Sequence, residues 1–266
     1  MTVRRGRQEE SMEEFYIDCD GIRLHAKLDK PEGADRCPLC ILIHGFTGNM
    51  EEEHLTMTQK AMNDAGVAVL RAEMYGHGGS DGEFRAHTLY KWVTNALAVV
   101  AYAKKLDFVT DLYLCGHSQG GLLTMLVGGM CADDFKAIIP MSPAWMIPEC
   151  ARQGTLLGTD FDPQHIPDVL QTWEHTLDGD YIRVAQTIHV EDEIARYNGP
   201  VLIVHGASDS VVPYDYVEKA TAMYKNAKLI AIAGADHCYG GYLDELYTAI
   251  YEFFQKDAGC EVKQSV

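Results

Sequence analysis

The run Leu112-Tyr113-Leu114-Cys115-Gly116-His117-Ser118-Gln119-Gly120-Gly121-Leu122-Leu123-Thr124-Met125 carries an apolar stretch into a glycine-flanked serine and out again into a second apolar stretch that reaches Met130. Residues 112–115 read as a short strand buried on both faces, and residues 122–130 as a helix. Between them stands G-x-S-x-G. A serine at the tip of a tight strand-to-helix turn has a strained backbone, and side chains beside it would collide with the neighbouring strand and helix. Glycine removes that crowding and leaves the hydroxyl presented at the strand's carboxyl end. Ser118 is therefore the candidate nucleophile.

The same rhythm extends in both directions. Short, continuously apolar runs at 39–43, 67–71, 137–141, 201–204 and 229–233 join 112–115 as six candidate parallel strands. Helical stretches alternate with them. The clearest place Leu89, Val93, Ala96, Leu97, Val100 and Ala103 on one face, and Leu243, Leu246, Tyr247, Ile250, Phe253 and Phe254 on another. Ahead of these, residues 14–19 and 22–28 flank Asp20-Gly21, a hairpin-turn dipeptide. The expectation is a mostly parallel central sheet with helices on both faces, opened by an antiparallel hairpin. About 60 residues separate the fourth parallel strand from the fifth, far more than a crossover needs. This stretch holds Trp145, Phe161, Trp173 and Tyr181, and is expected to be an insertion, at about 144–199, that covers a site as a lid; the alternative is a surface elaboration that only packs.

A serine hydroxyl is a weak nucleophile at neutral pH. It needs a base, and the base needs an acid to hold its tautomer. Strand 201–204 runs into His205-Gly206-Ala207-Ser208-Asp209, and strand 229–233 into Gly234-Ala235-Asp236-His237. His237 is the candidate base and Asp209 its orienting acid, with Asp236 as a rival that adjacency to His237 aims elsewhere. The first parallel strand runs into His44-Gly45-Phe46-Thr47-Gly48, so the main-chain N–H of Phe46, with that of Gln119, is assigned to an oxyanion hole. His44, His117 and His205 lie in strand-end turns and are read as structural. The glycine-rich loop 76–82 lacks the lysine and spacing of a phosphate loop and is read as a turn.

Composition excludes several partners. With 22 Lys+Arg against 39 Asp+Glu the formal charge is −17, which repels nucleic-acid backbones and anionic membrane surfaces. No run of apolar residues approaches the roughly 20 that cross a bilayer. The first 14 residues carry Arg4, Arg5 and Arg7 but no apolar signal-peptide core, so a cytoplasmic protein is expected. Cys37-Pro-Leu-Cys40 has redox-motif spacing, yet Cys40 opens an apolar strand, and free thiols are expected instead. No Cys/His spacing forms a metal site. The sequence leaves the oligomeric state open, a homodimer included.

The chain resembles the α/β-hydrolase superfamily over nearly its whole length, and within it the bacterial cinnamoyl (feruloyl) esterases. The residues that carry this are His44-Gly45-Phe46-Thr47-Gly48, Gly116-His117-Ser118-Gln119-Gly120-Gly121, Asp162-Pro163-Gln164-His165-Ile166-Pro167, Tyr181-Ile182-Arg183-Val184-Ala185-Gln186 and Gly234-Ala235-Asp236-His237-Cys238. The order Ser118, Asp209, His237 is that of the superfamily's triad. The resemblance implies a serine carboxylesterase acting, without a cofactor, on a small aromatic ester of a hydroxycinnamic acid. The insertion would form the acid pocket, with Trp145 and Tyr181 as its substrate-binding residues. The chain departs from that family at Ile147-Pro148-Glu149-Cys150, where relatives can place a polar side chain for the phenol hydroxyl; Tyr181 matches the later tyrosine. Two other readings stay open: an esterase or lipase for short aliphatic acyl chains, and a slow-turnover ligand receptor on the same fold.

Overall fold

The computed structural model describes residues 12–256, so the arginines at 4, 5 and 7 lie outside the described residues. Strands β1 (Met12–Cys19) and β2 (Ile22–Asp29) form the expected antiparallel hairpin. Its turn residues Asp20 and Gly21 both have positive φ, 52° and 84°, the conformation whose twist matches that of the flanking strands.

The six expected parallel strands follow: β3 (Cys37–Ile43), β4 (Ala68–Ala72), β5 (Val109–His117), β6 (Phe135–Met141) and, after four short strands described below, β11 (Val201–Gly206) and β12 (Ala227–Ile232). Together with the hairpin they make one eight-stranded sheet in the order β1-β2-β4-β3-β5-β6-β11-β12. β2 joins β4 antiparallel, and every later pairing is parallel. β5 begins three residues earlier than its apolar run, because Cys37 pairs with Val109 through a register shift. Polar Thr110 and Asp111 hide that start from a hydrophobicity reading.

Side chains alternate across the sheet, as a two-residue period requires. Leu39, Ile41 and Ile43 of β3 join Leu112 and Leu114 of β5 in one buried cluster, while Cys40 and Leu42 join Tyr113 and Cys115 in another. The first face is covered by α2 (Leu89–Ala103), α3 (Gln119–Met130) and α7 (Tyr214–Met223), and the second by α1 (Glu53–Asp64) and α8 (Leu243–Lys256). α2 starts at Thr88, whose hydroxyl accepts from the Lys91 N–H. Among the described residues no helix is long and apolar enough to cross a membrane.

Between β6 and β11 the chain folds as α4 (Ile147–Gln153), two small antiparallel hairpins, β7 (Thr155–Leu156) with β8 (Thr159–Asp160) and β9 (Val169–Thr172) with β10 (His175–Asp178), then α5 (Asp180–Gln186) and α6 (Val190–Arg196). It is tied to the sheet-bearing body. A Cβ on Gly129 of α3 would lie 2.4 Å from the Glu193 carbonyl of α6, so the two helices touch through glycine. Arg85 pairs with Asp178, and the Tyr90 hydroxyl meets that of Thr187 at 2.8 Å.

Candidate active site

All four motifs singled out in the sequence end parallel strands, so the topology brings them to one edge of the sheet. Ser118 follows β5 with φ 57° and ψ −116°. Its N–H donates to the Met141 carbonyl at 2.9 Å, and its own carbonyl accepts from Leu122 and Ala144, both at 3.0 Å, so the strained turn is held from three sides. The glycines do what the motif demands. A Cβ at Gly116 would meet the Gly120 carbonyl at 2.3 Å, and one at Gly120 would meet the carbonyls of Ile43 and His44 at 2.4 and 2.5 Å. Main-chain atoms cannot swing aside as a flexible side chain can. Gly120→Ala is therefore expected to lower stability by about 1–3 kcal/mol through overpacking, read as a lower urea midpoint at unchanged slope; an unchanged midpoint would contradict the close approach of β3 and α3.

The Ser118 hydroxyl lies 2.9 Å from His237 Nε2, and His237 Nδ1 lies 2.7 Å from Asp209 Oδ2. An ionised carboxylate only accepts, so Nδ1 carries the proton and Nε2 offers its lone pair to the Ser118 O–H. The other carboxylate oxygen accepts from the N–H groups of Val211 and Val212, at 2.8 and 2.9 Å. Burial alone would push the Asp209 carboxyl up, yet the hydrogen bond and charge of His237, with the two N–H groups, bring it below its ordinary value. Its side chain is fully buried, whereas that of His237 is 15% exposed, which leaves the imidazole edge open to a reacting molecule.

Asp236, the rival acid, spends its Oδ1 on the N–H groups of Cys238 and Gly240, at 3.1 and 2.8 Å, and caps its own turn. His44, His117 and His205 are all buried and each holds a main-chain group. His44 Nδ1 donates to the Gly45 carbonyl and its Nε2 accepts from the Met74 N–H, while burial, helped by His77, pushes its pKa down to about 3. His117 Nε2 donates to the carbonyl of His237 at 2.8 Å, and His205 Nε2 to that of Val212 at 3.1 Å.

The loop after β3 abuts Ser118: a Cβ on Gly45 would lie 3.2 Å from the Ser118 Cβ. The next residue, Phe46, has its carbonyl 2.6 Å from His77 Nε2, which anchors the loop at the peptide after the Phe46 N–H. The N–H groups of Phe46 and Gln119 have no protein acceptor among the described residues. His77 came from the loop read as a mere turn; that loop is a turn, but one that anchors Phe46. Nothing in the sequence pairs residue 77 with residue 46.

Both residues assigned to the substrate pocket are buried, Trp145 at 3% and Tyr181 at 0% exposure. The Trp145 indole N–H donates to the Tyr216 carbonyl at 2.9 Å, and the Tyr181 hydroxyl donates to Gln119 Oε1 at 2.5 Å. Around the Phe46 ring stand Phe84, His87, Trp173 and Tyr181, with centroids 5.2 to 6.3 Å away. His87 was not singled out from the sequence. It is fully buried, its Nδ1 faces the Phe84 carbonyl, and burial drives its pKa to about 3. All seven described cysteines are free, Cys37 and Cys40 included. Among the described residues no group of three or more His, Cys, Asp or Glu side chains is arranged to hold a metal ion.

The solved structure of Est1E from Butyrivibrio proteoclasticus with ferulic acid bound superposes with a TM-score of 0.90 at 57% identity, covering 91% of this chain and 98% of that one. A second structure of Est1E gives 0.86 at 55% identity, over 91% and 97%. Human protein ABHD12B is 29% identical over 200 residues, 73% of this chain, and this chain spans only about half of its length, 51%. The family model described as serine aminopeptidase, S33, matches residues 34–178, from just before β3 to the end of β10. That match exceeds half of the chain, and with the sheet order and the serine turn it shows that the protein belongs to the Hydrolase_4 (serine aminopeptidase, S33) family of α/β-hydrolases.

Proposed function

We propose that the protein is a serine carboxylesterase that hydrolyses esters of hydroxycinnamic acids through an acyl-enzyme. The observation that carries the reading is the line Ser118 Oγ, His237 Nε2, His237 Nδ1, Asp209 Oδ2, with spacings of 2.9 and 2.7 Å, in a chain 57% identical to a protein that holds ferulic acid. Ser118 Oγ attacks the ester carbonyl as His237 Nε2 takes its proton. The carbonyl oxygen becomes an oxyanion, and the N–H groups of Phe46 and Gln119 receive it. Asp209 keeps the imidazole in the accepting tautomer and offsets the charge it gains. The tetrahedral adduct collapses as imidazolium Nε2–H protonates the departing alcohol oxygen, leaving acyl-Ser118. Water, deprotonated by the same nitrogen, repeats the sequence and frees the carboxylate and the serine.

Residues 144–199 form a lid over this centre in the same reading, with Trp145 and Tyr181 among its pocket walls. The aromatic ring of side chains about Phe46 supports an aryl acyl group over an alkyl one, because flat rings pack edge-on against one another. The seven free cysteines support a reducing, cytoplasmic setting. Steady-state hydrolysis of methyl ferulate and of a p-nitrophenyl alkanoate series tests the assignment. We expect kcat/KM for methyl ferulate to exceed that for the alkanoates, after allowance for their better leaving group, by at least about tenfold. A rising preference along the alkyl series, with methyl ferulate untouched, would replace it with the aliphatic reading. Acylation without turnover would leave a ligand receptor.

A further inference from the structure

His237 sits in residues 233–242, the connection between β12 and α8, which holds no strand or helix and turns through positive φ at Gly234, Tyr239 and Gly241. The connection is tied down on either side of the histidine: the Ser208 N–H donates to the Ala235 carbonyl at 2.9 Å, and the Tyr239 hydroxyl donates to the Val204 carbonyl at 3.0 Å. Among the described residues the main chain of His237 itself has one hydrogen-bond partner. His117 Nε2 donates to the His237 carbonyl at 2.8 Å, and the two ring centroids stand 4.7 Å apart. His117 is the residue before Ser118, whose hydroxyl meets His237 Nε2 at 2.9 Å. Adjacent residues of one motif therefore grip the same histidine, one by its main chain and the other by its ring.

We infer that His117 is a positioning residue: its bond to the His237 carbonyl sets where the proposed base stands over Ser118. This rests on the esterase reading above, and it gives a task in the reaction to a histidine read from the sequence as structural. The bond defines the tautomer of His117. A carbonyl only accepts, so Nε2 carries the proton, while Nδ1, 3.4 Å from a Cβ placed on Gly45, is buried with no partner among the described residues. The polar work of this side chain is thus that one bond. Burial, with His54 and His237 nearby, holds its pKa well below the ordinary value, so it stays neutral and sets no second cation beside the imidazolium that forms at His237. The three bonds of His237 differ in what the cycle asks of them. Nε2 passes from Ser118 to the departing alcohol and then to water, and Nδ1 faces Asp209 through each gain and loss of charge, whereas the carbonyl keeps His117 and its neutral bond throughout. A histidine ring is reached from its Cα through two torsions, so a main chain displaced by about 1 Å carries Nε2 with it, a shift that can cost about 10²-fold in rate. The Ser118 turn is held by its own main-chain bonds to Met141, Leu122 and Ala144, so the displacement falls on the base.

The test is His117→Leu, which removes the donor and leaves an apolar filler, beside His117→Gln, whose side-chain nitrogen can stand where Nε2 stood and donate in its place. Rates are read per active site, with sites counted by end-point labelling of Ser118 with a fluorophosphonate. Positioning predicts that His117→Leu lowers kcat about 10- to 100-fold on methyl ferulate and p-nitrophenyl acetate alike, moves KM by less than about threefold and slows the labelling by a similar factor to kcat, while His117→Gln stays within about threefold of the wild type. A histidine that only supports the fold would reduce the number of labelled sites and leave the rate per site unchanged, and that result would overturn the inference. Equal losses in both variants would overturn it too, by making ring packing the cause in place of the bond, as would a loss confined to KM. If His117→Leu does not fold, nitrogen-15 resonances of the wild-type histidines decide: the inference requires His117 to be neutral with its proton on Nε2, and a proton on Nδ1 would end it. Should the wild type ignore methyl ferulate yet cleave p-nitrophenyl acetate, the hydroxycinnamate assignment fails while the His117 comparison is still read on the acetate and on the label.

Discussion

Ser118→Ala is expected to lower kcat for methyl ferulate by about 10⁴- to 10⁶-fold and to leave the fold intact. The substitution removes one oxygen atom. In the proposed mechanism that oxygen is the attacking atom, and it is the partner of His237 Nε2, 2.9 Å away. Alanine meets the same φ of 57° that serine already tolerates, and the main-chain bonds to Met141, Leu122 and Ala144 do not involve the hydroxyl. A residual rate of about 10³-fold over water should persist, because the proposed oxyanion donors, the N–H groups of Phe46 and Gln119, would still stabilise attack by water. Stopped assays on the purified variant, beside its circular dichroism spectrum and melting curve, give the reading. Wild-type turnover in a folded Ser118→Ala protein would remove the acyl-enzyme from the mechanism.

The parallel sheet was legible because its strands are buried on both faces and read as unbroken apolar runs, and because glycine-marked turns end them. The meeting of Ser118, Asp209 and His237 was legible for a topological reason: each follows a parallel strand, and parallel strands end at one edge. Elements that bury polar groups were harder to read. α1 turns His54 and Thr58 inward beside Leu55, Ala61 and Met62, so its apolar stripe is diluted and the helix does not stand out. Beyond β6 the elements are four strands of two to four residues and three helices of seven, too short for any period to establish itself. Contacts made through single atoms were not legible at all. The His77 to Phe46 and Tyr181 to Gln119 bonds join residues 31 and 62 positions apart, and neither residue type nor spacing distinguishes them from solvent-facing polar groups.

Asp209→Asn is expected to lower kcat by about 10⁴-fold with little change in KM, and the reason lies in how the carboxylate is shared. Oδ1 accepts from the N–H groups of Val211 and Val212, and Oδ2 accepts from His237 Nδ1. A carboxylate can accept on both oxygens, whereas a carboxamide has one accepting oxygen and one donating nitrogen. Two main-chain donors claim the single oxygen of the introduced carboxamide, because turning its NH₂ toward them would set donor against donor twice in a fully buried place. The NH₂ must then face His237 Nδ1, which can receive it only as a lone pair. The ring proton moves to Nε2 and points at Ser118 Oγ, so the imidazole has nothing with which to take the serine's proton. The defect is thus one of tautomer and not of geometry, and it makes a sharp distinction. Raising the pH should restore part of the rate, since hydroxide can do what the misdirected base cannot, while Ser118→Ala should gain nothing comparable. If Asp209→Asn retained wild-type kcat at neutral pH, His237 would be oriented by some other group.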